Sequence, residues 1–275
     1  TPLGSRARAQ RLIDEGRVLV DGGPRAKRHR LAAGELVVVE EPDIVPPEPV
    51  GDVPFAVPYE DDRLLVVDKP AGIVVHPARG HQAGTLAQAL GGRAGGGEDP
   101  GRAGIVHRLD RDTSGLLDVA RDEDAHRRLQ DMIRRREVHR EYLALVEGRP
   151  PARTGTIDAP LGRDRRHRTR ISSDTDDPRE AVTHFVLEEA LPATSLLRVT
   201  LETGRTHQIR AHMLAIGYPV AGDPEYGTAG LLGLERQFLH ATRLAFAHPF
   251  TGEPVEVVSP LPADLAAALE RARAG

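Results

Sequence analysis

The sequence predicts an α+β fold: a largely antiparallel, mixed β-sheet flanked by helices and loops, preceded by a small α/β segment. Three observations predict it. Short apolar runs such as LLVVDKP and EYLALVEG are bounded by turn residues, as strands are. Helical patterns fall among them without the regular strand-helix alternation that builds a parallel sheet. No internal repeat marks a solenoid.

The elements follow in order. Residues 5–20 carry SRARAQRLIDEG, a helix closed by Gly16, which runs into the short strand RVLVDG. A turn at Asp21-Gly22-Gly23 and a basic stretch lead to a second strand, ELVVVE, ending near Glu41. Six prolines among acids over 42–58 then make 42–57 a semi-rigid linker between a front domain, 1–41, and a main domain, 58–275. The main domain opens with LLVVDKP and GIVVHP as β-runs broken at Pro70-Ala71-Gly72. GGRAGGGEDPG, 91–101, lacks the Lys-Ser/Thr of a phosphate cradle and reads as a mobile connection. GIVHRL reads as an apolar strand, DRDTSG as a turn, LLDVA as the next strand and 122–136 as a helix. EYLALVEG and LLRVTLET follow, and ADLAAALERARA forms a closing helix.

Composition narrows the function. There is no cysteine, which removes disulfides, thiolate zinc sites and a cysteine nucleophile. No stretch approaches the roughly 20 apolar residues of a membrane span, and no secretory signal opens the chain, so a cytoplasmic location is expected. The net charge of −4 is unlike that of a protein that coats nucleic acid, but its distribution is uneven. Arg6, Arg8, Arg11, Arg17, Arg25, Lys27, Arg28 and Arg30 face only three acids in the first thirty residues. Further basic runs occupy 134–140 and 163–170, and together they tilt the reading towards phosphate contact over plain solvated surface.

The chemistry concentrates in GIVHRLDRDTSGLL, 104–117, which delivers Asp110 and Asp112 onto a tight Thr-Ser-Gly turn. Asp110, Asp112, Ser114 and Gly115 match the opening of a calcium loop, but Arg121 stands where that loop needs a bidentate Glu, so no metal is expected there. On residue types alone, an acid-base pair of the glycosidase kind is left open, as is a plain ion pair of Asp110 with Arg108 or Arg111. Four Tyr, five Phe and no Trp supply a sugar platform poorly. His207 and His212, spaced H-x4-H, do not match the zinc-hydrolase helix pattern, and no third ligand is evident.

Four further segments accompany this one in order: YEDDRLLVVDKPAGIVVHP (59–77), REYLALVEG (140–148), LETGRTHQIRAHMLAIGYPVAGDPEYG (201–227) and RQFLHATRLAFAHPFTGEPV (236–255). Taken together, residues 57–265 closely resemble the RluA/RluD family of RNA pseudouridine synthases. The resemblance implies an isomerase that turns uridine into pseudouridine, with Asp110 as the essential carboxylate and Arg210 paired with it. It implies that Tyr142 stacks on the target base and that Arg108 fills the space vacated by a flipped nucleotide. His107, Arg205 and His207 are expected to face RNA, and no cofactor or metal is implied. Asp118 departs from the family's usual apolar residue, and it is expected to face solvent or to pair with an arginine.

The front segment resembles the alpha-L RNA-binding domain, with Arg6, Arg8, Arg11, Lys27 and Arg28 as RNA contacts. That resemblance implies another helix ahead of Ser5, which the domain is expected to lack. The expected partner is RNA, not DNA or membrane, with large-subunit ribosomal RNA first and transfer RNA second. A monomer is expected. The alternative, a non-catalytic RNA-binding or ribosome-assembly factor, predicts loss of Asp110, Tyr142 or Arg210, and all three are present.

Overall fold

The computed structural model describes residues 6–40, 53–77, 83–167 and 169–275. In the first stretch, α1 (Arg6–Asp14) precedes β1 (Val18–Val20), β2 (Gly23–Pro24) and β3 (Val37–Val39). These strands form an antiparallel sheet in the order β2-β1-β3, with Leu12 and Val20 buried. Most of the proline-rich stretch lies outside the described residues.

The main sheet has nine strands: β4 (Ala56–Glu60), β5 (Leu64–Lys69), β6 (Ser114–Ala120), β7 (His139–Glu147), β8 (Thr154–Asp158), β11 (Val182–Ala190), β12 (Thr194–Leu201), β13 (Leu239–Ala247) and β14 (Pro254–Val258). Their order is β4-β5-β6-β13-β7-β12-β11-β8, with β14 added to β13. Among the described strands, only β6 and β13 pair in parallel, and every other ladder is antiparallel. A separate hairpin joins β9 (Gly162–Arg163) to β10 (Ile171–Ser172). The helices are α2 (Leu86–Leu90), α3 (Glu123–Arg134), α4 (Gln208–Ala215) and α5 (Ala263–Ala274).

The continuous apolar run of β5 reflects burial on both faces. Leu65 and Val67 join a core shared with α4 and α5, while Leu64 and Val66 join one covered by α3 through Ala125, Leu129 and Met132. Helix α3 starts where Asp122 accepts a hydrogen bond from Ala125 N, with Glu123 and Asp124 in its first turn. Gly115 makes the parallel pairing possible. A Cβ there would stand 2.2 Å from the Ala241 carbonyl oxygen, and its φ is 111°.

Five expectations are corrected. GIVVHP forms no strand, because Val74 and Val75 give their carbonyls to Leu86 and Ala87 N–H at the start of α2 instead of to a sheet. GIVHRL makes only an isolated bridge between Ile105 and Val119 before the chain turns towards Asp110. The glycine-rich segment is packed, not loose. Gly95 N–H donates to Ala120 O, and a Cβ on Gly95 or Gly96 would strike the backbone at Arg121 or Asp122. The sheet also takes in Ala56 and Val57, assigned above to the linker, through the pairing of β4 with β5. Finally, Asp118 sees neither solvent nor an arginine ion pair among the described residues. Strand β6 lies between β5 and β13 with all seven residues buried, so alternation leaves it no wet face, and the Asp118 carboxylate lies against His107 Nε2.

Candidate active site

Asp110 sits in the turn between Leu109 and β6, and three ties hold that turn. Lys69 Nζ donates to the carbonyls of Pro70, Ile73 and Arg111 at 2.8–2.9 Å. Arg236 Nη1 donates to Asp112 O at 3.0 Å while its fork grips Asp264. On the far side, His107 and Asp118 close the loop from within. Lys69 is fully buried, and burial drags its pKa down to about 7 against the pull of Asp112 and Asp110. Burial alone would raise the Asp118 pKa, but the adjoining His107 draws it below the usual carboxylate range.

Asp110 opens onto a cavity of about 1100 Å³. Arg108, His107, Tyr142, Arg205, His207 and Arg210 line the same cavity, so these sequence-predicted residues, drawn from three segments, meet in one place. Tyr142, on β7, is buried, which raises its phenol pKa and keeps it protonated. Arg108 is exposed at the rim, and Arg205 Nε donates to Glu180 O at 2.9 Å. His207 caps α4 in the left-handed region at φ 53° and meets the Tyr226 hydroxyl at 3.0 Å. Burial lowers its pKa, with Asp110 and Arg210 pulling in opposite directions.

Arg210, on α4, reaches Asp110 Oδ2 at 3.5 Å, but its closer partner is one the sequence reading missed. Its Nε and Nη2 donate to the two oxygens of Asp223 at 2.6 and 2.9 Å. Nη2 lies 3.4 Å from Glu225, and the guanidinium lies 4.8 Å from the centre of the Tyr226 ring. Burial works against the charge on Arg210, yet the Asp223 fork and Asp110 more than reverse it, so the guanidinium stays protonated. Burial would likewise raise the pKa of Asp223, but Arg210 and the N–H groups of Glu225 and Tyr226 hold it below the ordinary range. The available signal was the turn Gly222-Asp223-Pro224-Glu225-Tyr226, an acidic pair closing the same motif.

Not every residue singled out belongs to this place. His212 is buried on Thr183 and the Ala159 carbonyl. Lys27 and Arg28 are exposed in the front segment. Arg6, Arg8 and Arg11 lie on α1, and their side chains fall outside the described residues. Among the described residues no cluster of His, Cys, Asp or Glu is arranged to hold a metal, and no helix is long and apolar enough to cross a membrane.

Residues 63–215 match the family model described as RNA pseudouridylate synthase. Relatives extend the likeness over nearly the whole chain. It is 51% identical over 268 residues to an uncharacterized RNA pseudouridine synthase of Chloroflexus aurantiacus, covering 95% of this chain and 83% of that one. It is 44% identical over 286 residues to the ribosomal large subunit pseudouridine synthase D of Xanthomonas campestris pv. campestris, covering 96% and 83%. Among solved structures, human RNA Pseudouridylate Synthase Domain Containing 1 superposes with a TM-score of 0.61 at 29% identity, over 78% of this chain and 86% of that one.

Proposed function

Since the chain belongs to the RluA/RluD family of RNA pseudouridine synthases and is therefore an RNA-modifying isomerase, we propose that it acts on specific uridines of large-subunit ribosomal RNA with Asp110 as the essential carboxylate. One observation carries the reading: Asp110 lies 3.5 Å from Arg210 on the wall of a cavity that Tyr142 also lines. The reaction breaks the bond between the sugar and the uracil nitrogen, turns the uracil, and rejoins it through a ring carbon, which gives up its proton. The base must leave the stack and stay caged while it is free of the sugar. A cavity of about 1100 Å³ gives room for a flipped nucleotide. Tyr142 offers a ring face for the uracil, and Arg108, exposed at the rim, fills the gap left in the RNA stack. A carboxylate at that position can add to the ring or the sugar, or take a proton. Arg210 orients it.

Arg205 and His207 face the RNA on this reading, while His107 is held inward against Asp118; Arg6, Arg8, Arg11, Lys27 and Arg28 make phosphate contacts from a front RNA-binding domain, 1–41, joined by the linker to a catalytic domain that opens with β4 at Ala56. The enzyme works as a cytoplasmic monomer without a cofactor. Large-subunit ribosomal RNA is favoured by the names of relatives such as the Xanthomonas enzyme.

Release of tritium from large-subunit transcript labelled at carbon five of uracil tests the reading. Wild type releases label, and Asp110→Asn lowers the rate at least about 1000-fold, a loss in line with removing a group that acts directly in the chemistry. Turnover by Asp110→Asn overturns the role of Asp110. Release from transfer RNA transcripts alone moves the substrate and leaves the chemistry.

A further inference from the structure

Strand alternation places Arg140 on the same buried face of β7 as Tyr142 and Ala144. Arg140 is only 6% exposed, lines the cavity beside Asp110, and has no hydrogen-bond partner at Nε among the described residues. The other two buried arginines among the described residues are engaged: Arg210 forks onto Asp223 and Arg236 onto Asp264. Asp118 is near enough to act on the charge of Arg140, but it lies against His107. Arg140 is thus a buried guanidinium with an idle donor at the wall of the cavity, an arrangement that is costly until an acceptor arrives. Space has been cleared beside it. A Cβ at Gly204 would stand 3.0 Å from Arg140 Nη1, so the facing chain is reduced to backbone there.

RNA carries two kinds of acceptor into such a cavity, the carbonyls of the base and the phosphate oxygens. A neutral carbonyl satisfies the hydrogen bond but brings no counter-charge to the guanidinium. A phosphate does both and matches the planar fork of a guanidinium. We propose that Arg140 is the receptor for an RNA phosphate inside the cavity, gripping the backbone next to the nucleotide that Tyr142 receives. This rests on the reading that uridine-containing RNA enters beside Asp110, and it adds an anchor for the substrate backbone.

The test uses the full chain and the large-subunit transcript at a series of potassium chloride concentrations. Turnover is measured with Asp110 intact, and RNA affinity is measured in an Asp110→Asn background so that the outcome does not depend on catalysis. Arg140→Gln is expected to raise KM and Kd roughly 10- to 100-fold, the size of a lost charge-assisted contact, with kcat changed by less than about threefold. It is also expected to make the slope of log affinity against log salt shallower by about one. Arg140→Lys keeps the slope and recovers part of the affinity. An unchanged slope in Arg140→Gln, or a loss confined to kcat, overturns the phosphate contact. If Arg140→Gln does not fold, as thermal unfolding shows, Arg140→Lys decides: unchanged KM and Kd in that variant overturn the proposal. Activity in Asp110→Asn overturns the role of Asp110 and leaves the salt comparison standing.

Discussion

Arg210 directs two of its three nitrogens at Asp223 and reaches Asp110 only at 3.5 Å, so Asp223, and not Asp110, most tightly fixes the guanidinium. Asp223 is wholly buried, and removing it strands a buried cation. Asp223→Ala is expected to cost about 3–5 kcal/mol in urea unfolding and to lower kcat as Arg210 loses its aim. The pH dependence has a definite sign. The folded pKa of Asp223 is depressed, so its contribution is complete above the unfolded value of about 4 and disappears as pH falls through the folded value. Acid unfolding of Asp223→Ala should therefore show a weaker dependence on pH below about 4 than wild type. Asp110, Tyr142 and Arg210 could be singled out in the sequence because each sits in a segment that carries the resemblance to the family. The pairing of His107 with Asp118 could not, because it joins a loop to a strand buried on both faces, and nothing in LLDVA states that its alternate positions are both dry.

At the scale of elements, the close approach of β6 and β13 at Gly115 decides whether the Asp110 turn has a floor. Gly115→Ala meets the Ala241 carbonyl at 2.2 Å and takes a φ that L residues avoid, so the expected loss is about 2–6 kcal/mol by urea unfolding. Gly230→Ala, at φ 77° with nothing within 4 Å, should cost only about 1 kcal/mol. The same contrast explains what the sequence could and could not reveal. Strands β5 and β7, and helices α3 and α5, follow from apolar runs and caps that act over a few residues. The runs 72–77 and 104–109 look like strands by the same measure. Their backbones are instead drawn to the start of α2 and into the Asp110 turn by partners distant in sequence. The short helix α4 went unread because HQIRAH carries polar residues that are buried: Gln208 donates to Val182 O and Thr183, and Arg210 grips Asp223.

At the scale of the whole molecule, a net charge of −4 coexists with a basic front and a cavity walled by several arginines. Attraction for RNA is therefore local, not spread over the surface. A chain beginning at residue 53 is expected to unfold at the same temperature in its main sheet and to bind the transcript more weakly, with a shallower salt dependence, over the same series of potassium chloride concentrations. A lower unfolding temperature would show that the front segment braces the main sheet. The parallel ladder has a further consequence for the order in which this protein comes into being. It sets His240 beside Ser114 and Ala241 beside Gly115, and β13 must also enter between β6 and β7. Chain made early can zip β4, β5 and β6 together soon after they leave the ribosome. The bed beneath Asp110 has to wait for residues some 125 positions later, and closing a gap of that span is slow. The turn that carries Asp110 thus stays without its bed until β13 has been synthesised.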